Sequence, residues 1–197
     1  MTGRNARSMI LLEEVRACTS CAAHLPLGPR PILQVHPRAT ILIAGQAPGS
    51  KAHAIGVPFR DASGDRLREW MGVDESTFYD EQQIAILPMG FCFPGTGKTG
   101  DMAPRWECAP TWRSKLIAEL VNVKLTLVIG QYAQAWHLAD GQKSTLTGTV
   151  QAWRDYWPAH LPLPHPSPRN NIWLKRNAWF EAEVLPQLRS RVRELIT

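Results

Sequence analysis

The stretch Leu163-Pro164-His165-Pro166-Ser167-Pro168-Arg169-Asn170-Asn171 sets one imidazole and one hydroxyl among three prolines, with a cation at the end. Proline fixes φ and biases the preceding residue toward extended geometry, so neither a helix nor a central strand can run through. The result is a stiff loop that holds His165 and Ser167 in place, either as a site or as a solvated surface turn. A second polar stretch, Gly56-Val57-Pro58-Phe59-Arg60-Asp61-Ala62-Ser63-Gly64-Asp65, supplies two carboxylates. A third candidate is the thiol set Cys18, Cys21, Cys92 and Cys108. Without a secretory context, four cysteines argue for a metal or for buried thiols over disulfides. Cys18 and Cys21 form a close pair but Cys92 and Cys108 do not, which argues against a zinc ribbon.

These residues need a scaffold, and the apolar pattern predicts one. Residues 8–17 read as a helix and residues 22–39 as Pro-rich and irregular. Buried strands are expected at residues 40–45, 83–87, 125–130 and 160–163, each a short apolar run ending at a Gly or Pro. Helices are expected from Ser63, a candidate N-cap, to Met71, over 111–121, 131–138 and most of 173–195, with helix or turn around 146–157. Residues 46–62 and 88–110 read as loops, the second long enough to suggest function or an ordering cofactor. Strand and helix alternate throughout. The pattern predicts an α/β protein: one domain over 1–197, a three-layer α/β/α sandwich with a central four-stranded, mainly parallel sheet. The strand ends at Gly45, Pro88, Gly130 and Pro164 feed loops on one edge, where such folds place their sites.

The 197 residues carry a net charge of +5 and a pI near 9.3, which favours a polyanionic partner. No apolar run is long enough for a membrane span, and the N-terminal residues lack a signal-peptide core; a cytoplasmic, nucleoid-associated monomer is expected. Most of the eight Trp residues are expected to pack in the core or between helices. Gly95-Thr96-Gly97-Lys98-Thr99-Gly100 imitates a phosphate-binding loop. However, Cys92 stands where its first Gly should be, and no helix follows promptly, so ATP binding is not expected.

Three segments on the predicted edge together resemble the uracil-DNA glycosylase superfamily. Gly45-Gln46-Ala47-Pro48-Gly49 resembles its first motif, Gly56-Val57-Pro58-Phe59 its base-stacking segment, and His165-Pro166-Ser167-Pro168-Arg169-Asn170 its second motif. The order is right, and the likeness runs from Cys18 to the last helix. It implies cleavage of the N-glycosidic bond of uracil, or of another damaged base, in DNA. His165 would stabilise charge on the leaving base, and Phe59 would stack on the flipped base. Gly45, Ala47, Pro48 and Gly49 would bring backbone against the base or the water, Ser167 would line the site, and Arg169 would fill the gap in the duplex.

This sequence departs from its relatives at two places. Where the best-known branch has an Asp in the first motif, and the iron–sulfur branch a Glu, Gln46 is an amide and cannot be a base. Asp61-Ala62-Ser63-Gly64-Asp65 resembles the D-x-S-G-D of a further branch, which implies Asp61 as water positioner or base. Asp65 would then cap the helix, and Gln46 would orient the water or a sugar-phosphate group. Pro88 stands where the iron–sulfur branch carries a base-reading Asn, leaving base recognition to backbone groups of Met89 or Gly90. The cysteine order matches that branch's ligands, implying a structural [4Fe-4S] cluster on Cys18, Cys21, Cys92 and Cys108. Two rivals are a non-catalytic protein that binds DNA or abasic sites, and a small-molecule nucleoside hydrolase. Arg169, Lys175 and Arg176, clustered after the His loop, argue against the latter.

Overall fold

The computed structural model describes residues 3–98 and 100–196. In chain order its elements begin with α1 (Gly3–Arg16), β1 (Ile41–Ala44), α2 (Ser50–Ile55), α3 (Ala62–Met71), α4 (Glu75–Phe78) and β2 (Ile84–Ile86). A hairpin of β3 (Thr96–Gly97) and β4 (Gly100–Asp101) follows, then α5 (Ser114–Glu119), β5 (Leu125–Ile129), α6 (Gly130–Leu138) and α7 (Leu146–Gln151). The last elements are β6 (His160–Leu163), α8 (Asn171–Arg176) and α9 (Leu185–Leu195).

The central sheet has the order β2-β1-β5-β6, and every pairing is parallel, with Ile41 opposite Ile84 and Leu125, and Leu127 opposite Leu161. Its strands are apolar on both faces because both are covered. Ile41, Ile43, Leu127 and Leu161 pack with Trp70, Phe78, Phe180 and Leu188, while Leu42, Ala85 and Leu87 face Val15, Phe91 and Leu116. Each large side chain so buried contributes roughly 1.5–3 kcal/mol from transfer out of water. This is the three-layer α/β/α arrangement the sequence predicts, with a sheet entirely parallel rather than mainly so. Among the described residues no helix is long and apolar enough to cross a membrane.

Three local differences bear on the site. The stretch expected to be loop over 46–62 contains α2. The helix expected from Ser63 starts at Ala62, and its N-cap is Asp61, not Ser63 or Asp65. Asp61 lies one residue outside the helix with extended backbone, which lets its carboxylate reach back to the free N–H groups of the first turn. Asp65, inside that turn, instead pairs with Arg68 on the surface. Finally, the loop over 88–110 carries the β3–β4 hairpin, and the sequence that imitates a phosphate loop forms that hairpin; Thr99 lies outside the described residues.

Candidate active site

A cavity of about 500 Å³ opens at the C-terminal edge of the sheet. Its walls are the segment after β1, the loop into α3, Pro88 after β2, the β4 end of the hairpin and the Pro-rich loop after β6. Gly45, Gln46, Ala47, Pro48, Gly49, Phe59, Asp61, His165, Ser167 and Arg169 all line it. Met89 and Gly90 do not. Both are buried, and their N–H groups donate to the carbonyls of Gly45 and Gln46. Their N–H donors are therefore not available to read a base edge: the parallel sheet's own ladder continues past β1 and β2 and occupies them.

His165 is fixed from three sides. The Ser167 N–H donates to His165 Nδ1 at 3.2 Å, and the Asn170 side-chain amide donates to the His165 carbonyl at 2.7 Å. From α3, Arg66 donates to the Ser167 carbonyl at 3.0 Å and to Asn171 Oδ1 at 2.8 Å, bracing the whole loop. The Ser167 hydroxyl accepts from the Arg169 N–H, so its task is to hold the turn. Burial pushes the His165 pKa below its usual value, against the opposing pull of Asp61 and Asp101. The ring is neutral at pH 7. With Nδ1 accepting a hydrogen bond, the proton sits on Nε2, which is left as a donor.

Phe59 is held as tightly. Its φ is +53°, a left-handed conformation uncommon for a non-glycine residue. Tyr79 donates to the Pro58 and Phe59 carbonyls, and the Phe59 ring meets Phe78 edge-on at 6.3 Å. The Phe59 carbonyl also lies where a Cβ on Gly64 would stand, only 1.7 Å from that position. Gly64→Ala must therefore push Phe59 out of its place. It should destabilise the fold by roughly 3 kcal/mol, the upper part of the overpacking range, with a matching fall in thermal midpoint. An unchanged midpoint would show that the Phe59 turn is not rigid.

Asp61 Oδ1 accepts from the Ser63 and Gly64 N–H groups at 2.9 and 3.0 Å, while Oδ2 faces Gly49 across the cavity wall. The Gln46 side-chain amide donates to the Met102 carbonyl at 3.1 Å, tying the first segment to the hairpin strand's end. The Arg169 guanidinium lies over the hairpin, with Nη1 2.1 Å from where a Cβ on Gly100 would be. Sequence reasoning missed Asp101, Lys51 and Arg66. The first two line the same cavity, and the third is the brace just described.

Beneath Pro88 a buried Arg113 donates to the Leu87 and Pro88 carbonyls at 2.6 and 2.8 Å and meets His137 Nε2 at 2.6 Å. Burial, followed by the charge of Arg113, pushes the His137 pKa down to about 3. His160 and His165 are lowered by burial too. Because the folded protein prefers all three rings neutral, the unfolded chain takes up protons first as pH falls. Stability is thus complete above the ordinary value of 6.5 and declines below it, for His137 alone by up to about 1.4 kcal/mol per pH unit. Thermal midpoints should be level from pH 7 to 8 and drop below pH 6.5, and His137→Gln should flatten that slope. A midpoint that rises on acidification would contradict the neutral assignment.

The four cysteines, far apart in sequence, line one pocket together with Trp112 and Gly90. All four are free thiols. Trp112 Nε1 donates to Cys18 Sγ at 3.2 Å. Burial pushes the Cys92 and Cys108 thiols up to about 11 and 12. Burial also opposes ionisation of Cys18, but hydrogen bonds with Ser20 and Trp112 outweigh it and lower that thiol. Among the described residues, no group of three or more His, Cys, Asp or Glu is set to hold a single metal ion.

The parallel sheet, with a ring, a neutral imidazole and carboxylates facing one cavity past its strand ends, is the architecture of an α/β enzyme with its site in the C-terminal loops. The family profile described as the Uracil DNA glycosylase superfamily matches residues 33–189 of the 197. The chain belongs to that superfamily. Membership supports a glycosylase that acts on DNA.

Proposed function

We propose that the protein excises uracil from DNA by hydrolysing the N-glycosidic bond, leaving an abasic site. The observation that carries this reading is the placement of Phe59, His165 and Asp61 on one cavity, each locked by the backbone around it. A base swung out of the duplex would stack on the Phe59 ring, at a cost of a few kcal/mol for unpairing. The bond from C1′ to the base breaks with its electron pair on the base, and His165 Nε2–H donates to the oxygen where that charge collects. A neutral donor suffices, because the charge is stabilised by an aimed hydrogen bond in a site shielded from water. Asp61, through Oδ2, holds the water that attacks C1′ and opposes the positive charge on the sugar. Lys51 and Arg169 on the cavity rim would meet phosphates. With Pro88 in place of a side chain able to read the base edge, recognition is loose enough to admit other deaminated bases. Oligonucleotides carrying uracil, hypoxanthine, xanthine or a thymine mismatch, treated with protein and then alkali, test this. Strand breaks at uracil are expected, with weaker cleavage at the other bases. Binding without breaks would favour a non-catalytic protein that holds abasic or damaged DNA, a reading that Gln46, an amide tied to Met102, supports.

Cys18, Cys21, Cys92 and Cys108 would hold a [4Fe-4S] cluster. What supports this is that the four side chains, distant in sequence, line one pocket, and that Trp112 donates an N–H to Cys18 Sγ there. Bound there, the cluster would cross-link α1's end to the segment over 88–110 and take no part in the reaction. Anaerobically purified protein should be brown, with broad absorbance near ~400 nm and about four irons per chain. Colourless, iron-free protein whose folding is unchanged by Cys92→Ser and Cys108→Ser would contradict this.

A further inference from the structure

The hairpin inserted in the long segment after β2 delivers a carboxylate to the active-site cavity that neither the first motif nor the α3 loop supplies. Asp101 ends β4 and lines the same wall as His165 and Gly49. Its Oδ2 lies 3.3 Å from the position a Cβ on Gly49 would occupy, and Asp61 Oδ2 lies 4.0 Å from that same position. Two carboxylate oxygens, carried by elements 40 residues apart in sequence, therefore converge on one bare point of backbone in the cavity wall. That point is open only because residue 49 has no side chain. Both carboxylates also act on the His165 ring, opposing the burial that lowers its pKa.

The two acids are not equivalent. Asp61 has its Oδ1 occupied by two N–H donors at the start of α3 and is fixed by that duty. Among the described residues, no hydrogen bond or ion pair holds the Asp101 carboxylate, so both of its oxygens can serve a ligand. The hairpin is held in position from the other side by Gln46, whose amide donates to the carbonyl of the next residue, Met102. Gln46 thus stands where a base might be sought, yet its donor is turned to the backbone that carries an acid.

The geometry points to Asp101 as the catalytic base of the glycosylase, taking a proton from the water that Asp61 holds. In this step the water oxygen forms a bond to C1′ as the bond from C1′ to the base breaks with its electrons on the base. The water proton passes to the Asp101 carboxylate, and the departing base anion later takes a proton from solvent. No oxidant, metal or second substrate is needed. The assignment rests on the glycosylase reading above.

The test is single-turnover cleavage of a uracil oligonucleotide by full-length wild type, Asp101→Asn and Asp101→Glu across pH 5 to 9. Asp101→Asn should slow cleavage about 10²-fold at every pH in that range, as expected for loss of a general base. Asp101→Glu should restore part of the rate. DNA affinity should stay equal or tighten, because a negative charge has left the DNA-facing rim, and the thermal midpoint should not move because the side chain is exposed. Wild type cleaving uracil while Asp101→Asn cleaves at the full rate with the same pH profile would overturn the assignment and leave the glycosylase reading intact. Wild type that releases no base would overturn that reading first. A slowed Asp101→Asn that Asp101→Glu does not restore at all would also count against proton transfer.

Discussion

His165→Ala should slow single-turnover release of uracil by roughly 10²–10³, the usual cost of deleting one aimed hydrogen-bond donor from a transition state. DNA affinity should change little, because on the proposed reading the imidazole would meet the leaving base and not the phosphates. The pH dependence sharpens the test. Burial holds the ring neutral, with Nδ1 committed to the Ser167 N–H and Nε2 left to donate. The wild-type rate therefore should not decline between pH 6.5 and 8.5, a range through which an ordinary imidazolium would lose its proton. A rate that falls tenfold per pH unit across that range would mean that His165 works as an acid. The alternating prolines explain how the ring is held: Pro164, Pro166 and Pro168 leave the loop few conformations, and Arg66 ties down the Ser167 carbonyl.

The second large effect belongs to Asp61, and the replacement matters. Asp61→Asn keeps an N-cap oxygen for the Ser63 and Gly64 N–H groups, since Asn caps about as well as Asp. It removes only the charge. The thermal midpoint should stay within a degree or two, while the single-turnover rate falls roughly 10²–10³ as the cationic sugar loses its counter-charge. Asp61→Ala would lose the cap as well, about 1 kcal/mol of stability in addition to the rate. Gln46→Ala should cost only about tenfold, as it withdraws one tether between the first motif and the hairpin. If Gln46→Ala proved as damaging as His165→Ala while Asp61→Asn stayed fully active, Asp61 would be a helix cap and nothing more.

The parts of this arrangement legible from sequence are those written in local pattern. Ile41-Leu42-Ile43-Ala44 and Leu125-Thr126-Leu127-Val128-Ile129 are apolar because both faces of the sheet are covered, so strand positions and edge follow directly. The Pro-rich loop announces its own rigidity. What was hidden depends on contacts between distant residues. The hairpin that carries Asp101 consists of two-residue strands built from Gly, Thr and Asp, without the alternation that marks a strand. Arg66 and Arg113 read as ordinary helix cations, yet one braces the Ser167 carbonyl and the other, fully buried, holds the Leu87 and Pro88 carbonyls. Pro88 cannot read a base edge, which points recognition to Met89 and Gly90, and only the register of the sheet shows their N–H groups already paired. Asp61 caps α3 through one carboxylate oxygen while the other faces the cavity, a division that depends on the folded loop and not on local pattern.

The central claim is that this cavity breaks a glycosidic bond, and the free base is the most direct witness. Wild-type protein should be incubated with a duplex carrying a single radiolabelled uracil, and the released base separated and counted alongside the alkali-labile sites formed in the same tube. The account predicts free uracil equal in amount to the abasic sites, in more than one equivalent per protein given time. Tight, saturable binding of the uracil duplex with the label still attached to the DNA would contradict it.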